Sequence, residues 1–396
     1  MMSAADSPTA IRSPFVRLAD LLAGIPPGKP PLVLSVGEPR HAVPDFVGPV
    51  LARHTADFNR YPGVRGSDGF RQAVADWAAR RYPGVTLDPE RQIIVLNGSR
   101  EGLFSATLAA ACWPRLKGRD HILLPNPYYP PYAASAQAAR MKIGLMDASE
   151  ASGFLPDLAA LEPAILDRTA ALFICSPANP QGVIASSDYL AQALALARRH
   201  GFLLFVDECY SEIYSSLAPA GGLEVAARSG SFSNLVVFNS LSKRSNLAGL
   251  RLGFCAGDAD FLDHLTEFRV VTCPQVPLPV QAVGEVAYGD ERHVDENRGL
   301  YRAKFALAER LLGNRFGVTQ PEGGFFVWLD VKRFGDDETI AANLWREAGL
   351  RVVPGSYLAS PAGDGTNPGA GYLRLALVDH FASVETALGR LADCLP

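Results

Sequence analysis

Between residues 92 and 255 the chain alternates short apolar runs with longer amphipathic stretches. The runs Gln92-Ile93-Ile94-Val95-Leu96, Asp120-His121-Ile122-Leu123-Leu124, Ala170-Ala171-Leu172-Phe173-Ile174-Cys175, Phe202-Leu203-Leu204-Phe205-Val206 and Leu235-Val236-Val237-Phe238 are bounded by turn residues. Short apolar runs with little polar alternation read as strands covered on both faces. Helices are predicted over 100–111 and 187–200. The alternation predicts an α/β fold with a mostly parallel central sheet flanked by helices, and it places ligand groups at the strand C-termini. Residues 258–310 read as mostly helical. Beyond them Gly317-Val318-Thr319, the run from Gly323 to Leu329, Leu350-Arg351-Val352-Val353 and the run from Tyr372 to Leu377 read as short strands between helices, a smaller α+β unit.

The N-terminal part is predicted as a short amphipathic helix over 16–22, a Pro/Gly break from Gly24 to Pro31, and a strand over 32–36 that ends in Gly37-Glu38-Pro39. Residues 45–82 read as helix, loop, helix, the second helix starting at Asp68 as N-cap. Two domains follow: a large one over 46–285, and a small one over 286–396 that shares residues 1–45, which also form an N-terminal arm.

Composition narrows the function. At 396 residues, 48% hydrophobic and 20% charged, the chain has the balance of a globular protein. A net charge of −4 gives no basic surface for nucleic acid or an anionic membrane. The six cysteines lack paired spacing and read as buried free thiols of a reducing compartment. The seven histidines show no metal-binding spacing. The N-terminus, with Asp6 and Arg12 and no long apolar core, gives no signal-peptide pattern, and no apolar stretch reaches bilayer length; a cytoplasmic protein is expected.

The strand ends carry the chemistry. Leu235–Phe238 runs into Asn239-Ser240-Leu241-Ser242-Lys243, with Arg251 downstream. A lysine leaving a buried strand into a polar pocket is a candidate Schiff-base amine, since desolvation and nearby cations lower its pKa; a solvated loop lysine is the plain alternative. Asn97-Gly98-Ser99 turns a strand into a helix, which offers free N–H groups and a hydroxyl to a phosphate, or is simply a helix start. It lacks the spacing of an ATPase loop or a dinucleotide fingerprint. Pro125-Asn126-Pro127-Tyr128-Tyr129-Pro130-Pro131-Tyr132 reads as a rigid aromatic loop able to stack on a flat ring. Asn179, before Pro180, has an extended backbone and a free amide. Asp207 ends the most apolar strand; it needs a partner such as a protonated ring nitrogen, or caps a following helix. Arg374 interrupts an apolar strand and is either paired or anion-binding.

A phosphate cradle, an aromatic, an amide, a carboxylate and a lysine, with two arginines, fit one ligand, pyridoxal 5′-phosphate (PLP). In that fit Asp207 keeps the pyridine nitrogen protonated, and Tyr210 and Asn179 hydrogen-bond the ring oxygen. Ser99, the adjacent N–H groups, Ser240 and Arg251 hold the phosphate, and Arg374 clamps a substrate carboxylate. The motifs Tyr61-Pro62-x-x-x-Gly66, Gly98-Ser99-Arg100-Glu101-Gly102, Asn179-Pro180-x-Gly182, Asp207-Glu208-x-Tyr210, Ser240-x-Ser242-Lys243 with Arg251, and Arg374 span nearly the whole chain. In this order they resemble the class I/II aminotransferases of the PLP-dependent fold type I. The resemblance implies a homodimer in which Tyr61 reaches the neighbouring subunit's phosphate, Tyr129 stacks on the ring, and Gly37 lies against the substrate carboxylate. It places Arg100, Glu101 and Ser242 among the cofactor contacts.

Pro14-Phe15-x-x-Leu18, the run from Leu34 to Pro39, the run from Ser240 to Asn246 and that from Val353 to Leu358 further resemble bacterial succinyldiaminopimelate aminotransferases. This implies ping-pong exchange of an amino group between N-succinyl-LL-2,6-diaminopimelate and 2-oxoglutarate in lysine biosynthesis. The stretch 271–280 holds no arginine, which argues against an aspartate enzyme of the usual kind. Aspartate, alanine or aromatic amino acids as donors, and a β-lyase, decarboxylase or acyl-transferring synthase on the same scaffold, are the rival activities. A cofactor-binding effector domain finds no DNA-binding module at this N-terminus, and a nicotinamide dehydrogenase lacks its glycine fingerprint.

Overall fold

The computed structural model of the protein describes residues 12–362 and 365–395. The reading of residues 1–11, Asp6 included, lies outside them. After a two-residue strand β1 (Leu32–Val33), seven strands build the central sheet: β2 (Ile93–Leu96), β3 (His121–Asn126), β4 (Lys142–Asp147), β5 (Thr169–Cys175), β6 (Leu203–Asp207), β7 (Leu235–Ser240) and β8 (Gly253–Gly257). Four short strands follow, β9 (Phe326–Asp330), β10 (Leu350–Arg351), β11 (Val353–Pro354) and β12 (Tyr372–Ala376).

The central sheet has the order β2-β8-β7-β6-β5-β3-β4 and is mostly parallel, as the apolar runs require. Strand β8 is the exception, antiparallel to both β2 and β7. Two of these strands were not legible as apolar runs: β4 is a half-exposed edge, and β8 is short and ends in glycine on both sides. Gly253 is required there, because a Cβ would lie 2.4 Å from the Asn239 carbonyl oxygen.

Helices cover both faces of the sheet. Phe70, Val74, Trp77, Val283 and Tyr288 pack on one side, and Leu103, Ala106, Tyr132, Phe261 and Leu265 on the other. Each fully buried Leu or Phe contributes about 1.5–3 kcal/mol relative to exposure. A separate core joins Leu34 to Tyr301, Phe305, Phe325, Leu329, Leu373 and Leu388, beneath the antiparallel sheet β11-β12-β9; β1 pairs with β10 alongside it.

Some expected boundaries move. Ser67, not Asp68, caps the helix Asp68–Arg81: its hydroxyl accepts from the Phe70 N–H at 3.2 Å, while Asp68 is helical and pairs with Arg71. The strand expected over 32–36 pairs for two residues only. The aromatic loop is cut short by the helix Pro130–Ala138, since Pro130 suits the first helical position. Residues 317–319 form no strand; Gly317 is the left-handed cap of the long helix Arg292–Phe316. Three thiols, Cys175, Cys209 and Cys255, are buried, whereas Cys112 is exposed. Among the described residues no helix is long and apolar enough to cross a membrane.

Candidate active site

The C-terminal ends of β5, β6 and β7 converge on a cavity of ≈ 1140 Å³ bordered by Gly37, Ser99, Tyr129, Asn179, Asp207, Tyr210, Lys243, Arg251 and Arg374. Lys243 stands in a four-residue helix, Leu241–Arg244, that follows β7 directly. Ser240 caps it: its hydroxyl accepts from the Ser242 N–H at 3.1 Å and donates to the Ser242 hydroxyl at 3.0 Å. Lys243 Nζ donates to the Gly37 carbonyl and lies 5.2 Å from the centre of the Phe325 ring. Burial, helped by the charges of Arg374 and Arg251, lowers its pKa to about 8, so about a tenth of the amine is neutral at pH 7, far more than for an ordinary lysine.

Asp207 is 4% exposed. Its Oδ2 accepts from the Tyr132 hydroxyl at 2.5 Å and its Oδ1 from the Cys209 N–H at 3.1 Å. Burial outweighs these bonds and raises its pKa. The chain beyond it turns without entering a helix, so Asp207 caps none. A cation in the cavity would restore the charged form. The Tyr132 contact is not legible in the sequence, where the residue reads as part of an aromatic loop; Pro130 starts a helix that buries it against Phe173. Tyr210 packs edge-on to Phe325 and Phe326, and burial raises its phenol well above the usual range, leaving a neutral donor.

Arg374, in β12, is 5% exposed. Its Nη1 donates to Asn179 Oδ1 at 3.2 Å and its Nη2 to the Ser35 carbonyl at 2.7 Å; the Nε–H is buried without a partner. Among the described residues no carboxylate pairs with it. A buried guanidinium that borders a cavity and has no acid beside it is a site for a carboxylate.

At the other end of the cavity the helix Ser99–Cys112 begins at Gly98 with no side chain capping its start. Arg251 lies over it, donating to the Ala248 carbonyl at 2.8 Å. A Cβ on Gly98 would come within 2.3 Å of Arg251 Nη2, and its φ of 78° also demands glycine. Free N–H groups and a guanidinium across a residue with no side chain form an anion cradle. Arg100 Nε donates to the Tyr129 hydroxyl at 2.8 Å, which orients the ring at the cavity wall.

Three residues stand otherwise than the sequence reading has them. Glu101 borders the cavity, but its carboxylate is turned to the Asn97 N–H and to Arg269, so it braces the strand-to-helix turn. Ser240 and Ser242 lie outside the cavity lining, their hydroxyls spent on the turn that carries Lys243. Tyr61, expected to reach a neighbouring subunit, is 99% exposed and lies outside the lining of its own chain's cavity.

The cradle, the carboxylate and the lysine match the phosphate, ring nitrogen and carbonyl carbon of PLP. Fold and site thus define a PLP-dependent transferase of fold type I. The model of the family "Aminotransferase class I and II" matches residues 29–384, and the chain belongs to that family. It is a PLP-dependent transaminase. LL-diaminopimelate aminotransferase of Desulforudis audaxviator is 32% identical over 387 residues, covering 96% of this chain and 95% of the relative. The crystal structure of an aminotransferase from Neisseria meningitidis superposes with a TM-score of 0.92 at 36% identity, covering 97% of this chain and 98% of that one. A probable N-succinyldiaminopimelate aminotransferase from Thermus thermophilus gives 0.84 at 27% identity, covering 97% and 100%.

Proposed function

We propose that the protein moves an amino group from N-succinyl-LL-2,6-diaminopimelate to 2-oxoglutarate by ping-pong kinetics, in lysine biosynthesis. One observation carries the amino-acid side of this reading: Arg374, buried with no acid partner among the described residues, shares a cavity with Lys243. The names of the relatives support a diaminopimelate donor. Thr272, Cys273 and Pro274 border the cavity without a cation, which disfavours aspartate. Glu38, an exposed carboxylate on the rim, favours a second reading in which the donor keeps a free distal ammonium, as LL-diaminopimelate does.

Bound PLP supplies the electron sink for the donor's Cα. The protein's own groups do the rest. Arg374 fixes the donor's carboxylate, and Lys243 Nζ takes the proton from Cα and returns one to the product. Asp207, braced by Tyr132, holds a proton at the ring nitrogen. Tyr210 and Asn179 donate to the ring oxygen. Ser99, the N–H groups at the helix start and Arg251 bind phosphate. Tyr61, exposed in one chain, serves the site of a second copy in a homodimer. The two separate cores support the division into a large domain over 46–285 and a small one from the two ends of the chain.

A donor screen with 2-oxoglutarate tests the substrate. N-succinyl-LL-2,6-diaminopimelate is expected to give the highest kcat/KM among itself, LL-diaminopimelate, aspartate, alanine and aromatic amino acids. Preference for the unsuccinylated donor selects the second reading, and keto-acid product without glutamate selects a lyase.

A further inference from the structure

The helix Arg292–Phe316 lays His293, Asn297, Tyr301 and Lys304 along one buried side. Spacings of four, four and three residues keep them on a single face. This face meets the turn that carries Lys243. A short helix leaves its last carbonyls without partners, and Asn297 supplies them: its Nδ2 donates to the carbonyls of Lys243 at 3.1 Å and Arg244 at 3.2 Å.

Two carbonyls can only accept, so the amide nitrogen must face them and Oδ1 must face the other way. There Oδ1 lies 2.7 Å from His41 Nδ1, which therefore carries the proton. His41 Nε2 is 2.7 Å from Lys304 Nζ, which also donates to the Leu377 carbonyl at 3.1 Å. Burial lowers the Lys304 pKa to about 8 against the pull of Asp379, so it is an ammonium at pH 7; with Nδ1 protonated and that ammonium at Nε2, His41 is neutral there. The direction of every bond in the chain Lys304–His41–Asn297–Lys243 is then fixed. The charged groups around His41 agree: burial lowers its pKa, the bond to Asn297 opposes this, and Lys304 and His380 add to the lowering. Asp379, the nearby acid, is paired with Arg40 at 3.1 Å.

His41 is four residues beyond Gly37, whose carbonyl accepts from Lys243 Nζ. The segment 37–41 thus holds the lysine twice, at its side chain directly and at its main chain through Asn297. The next residue has its own tether. The Ser245 hydroxyl accepts from Arg244 Nη1 at 3.3 Å and donates to His293 Nε2 at 2.8 Å, and His293 Nδ1 donates to Asp290 at 2.7 Å. This has the outline of a nucleophile triad, but Ser245 is fully buried and no substrate reaches it.

We propose that Asn297 and neutral His41 are positioning residues for Lys243, which lock the lysine turn and the Gly37 segment into one register so that Nζ faces the donor's Cα. The inference rests on Lys243 being the reactive amine.

The test uses the holoenzyme and four variants. Asn297→Leu and His41→Phe remove the relay; each is expected to lower kcat about tenfold or more while the donor KM stays within about threefold. Each should also shift the pH midpoint of the bound cofactor's visible absorbance. His41→Asn keeps an N–H donor in place of Nδ1 and is expected to recover kcat to within about threefold of the unaltered enzyme. In [15N]histidine-labelled unaltered enzyme the ring of His41, assigned by its contact with Tyr301, should give the signals of a neutral ring protonated at Nδ1 at pH 7. That measurement is made on the unaltered protein and stands even where a variant does not fold. Unchanged kcat and midpoint in Asn297→Leu, equal impairment of His41→Asn and His41→Phe, or a charged or Nε2-protonated His41 would each overturn the proposal. Normal turnover in Lys243→Ala would instead overturn the reading beneath it.

Discussion

Asp207 and Glu208 are consecutive carboxylates at the end of β6, and they face different surroundings. Asp207 borders the cavity, with one bond from Tyr132 and one from the Cys209 N–H. Glu208, 1% exposed, is turned toward the helix Asp68–Arg81 and the chain at Gly222. Its Oε1 accepts from the Gly222 N–H at 2.6 Å and its Oε2 from the Tyr82 hydroxyl at 3.0 Å; burial pushes its pKa up to about 7. Glu208 is satisfied by the protein and needs nothing further. Asp207 is left facing a space that a ligand fills. The same contrast separates the buried arginines: Arg244 meets Glu291 at 2.6 Å and Arg269 meets Glu101, while Arg374 meets no acid among the described residues. Arg244, Arg269 and Arg374 alike bury an unpartnered Nε–H, so burial and a spare donor do not mark a functional charge here; burial without an opposite charge does.

The largest expected effect tests the cavity side as a whole. Lys243→Ala removes the amine that the open groups serve, and turnover should fall about 10⁴-fold or more in a coupled glutamate assay. Asp207→Ala should cost about 10²–10⁴-fold in kcat, whereas Glu208→Gln, which keeps an acceptor for Gly222 and a partner for Tyr82, should stay within about threefold. Equal losses from the two would erase the distinction between them. Arg374→Ala should lower kcat/KM about 10–100-fold, mainly through KM, as loss of a charge-assisted bond to a carboxylate requires; an unchanged KM would remove its role.

The smallest effect belongs to Glu208 and is read as stability. Its folded pKa, about 7, lies above the ordinary glutamate value of 4.5, so between those limits the folded state holds a proton the unfolded chain has lost. The associated stability is fully present below pH 4.5 and is lost as pH rises through 7, amounting to about 3 kcal/mol. Urea denaturation at pH 5 and pH 8 should show Glu208→Gln less sensitive to that change than the unaltered enzyme. An identical pH dependence would mean that Glu208 titrates normally.

Buried apolar runs made β2, β3, β5, β6 and β7 legible in the sequence, and residues at their ends were legible with them: Ser99, Asn179, Asp207 and Lys243 each follow or close a strand. What escaped lacks such a signal. Strand β4 carries Lys142 on an edge, and Tyr132 sits in a proline-rich stretch that looks like a loop until Pro130 is seen as a helix start. Glu101 and Ser240 are of the right type in the right place, and only side-chain geometry reveals that their oxygens bind the protein itself. The His41–Asn297 contact joins residues 256 apart and has no local pattern at all.

The reversed strand β8 has a consequence for how this site can be inherited or transplanted. Because β8 lies antiparallel against β7, with Ser240 opposite Gly253, the chain leaves and re-enters the sheet at one end. Lys243 and Arg251 are therefore carried on one short excursion, with no crossover helix between them. A graft of residues 235–257 would move the amine and the phosphate-side cation together, their spacing already set. An insertion within 245–250 would put the two out of step while leaving both residues in the sequence.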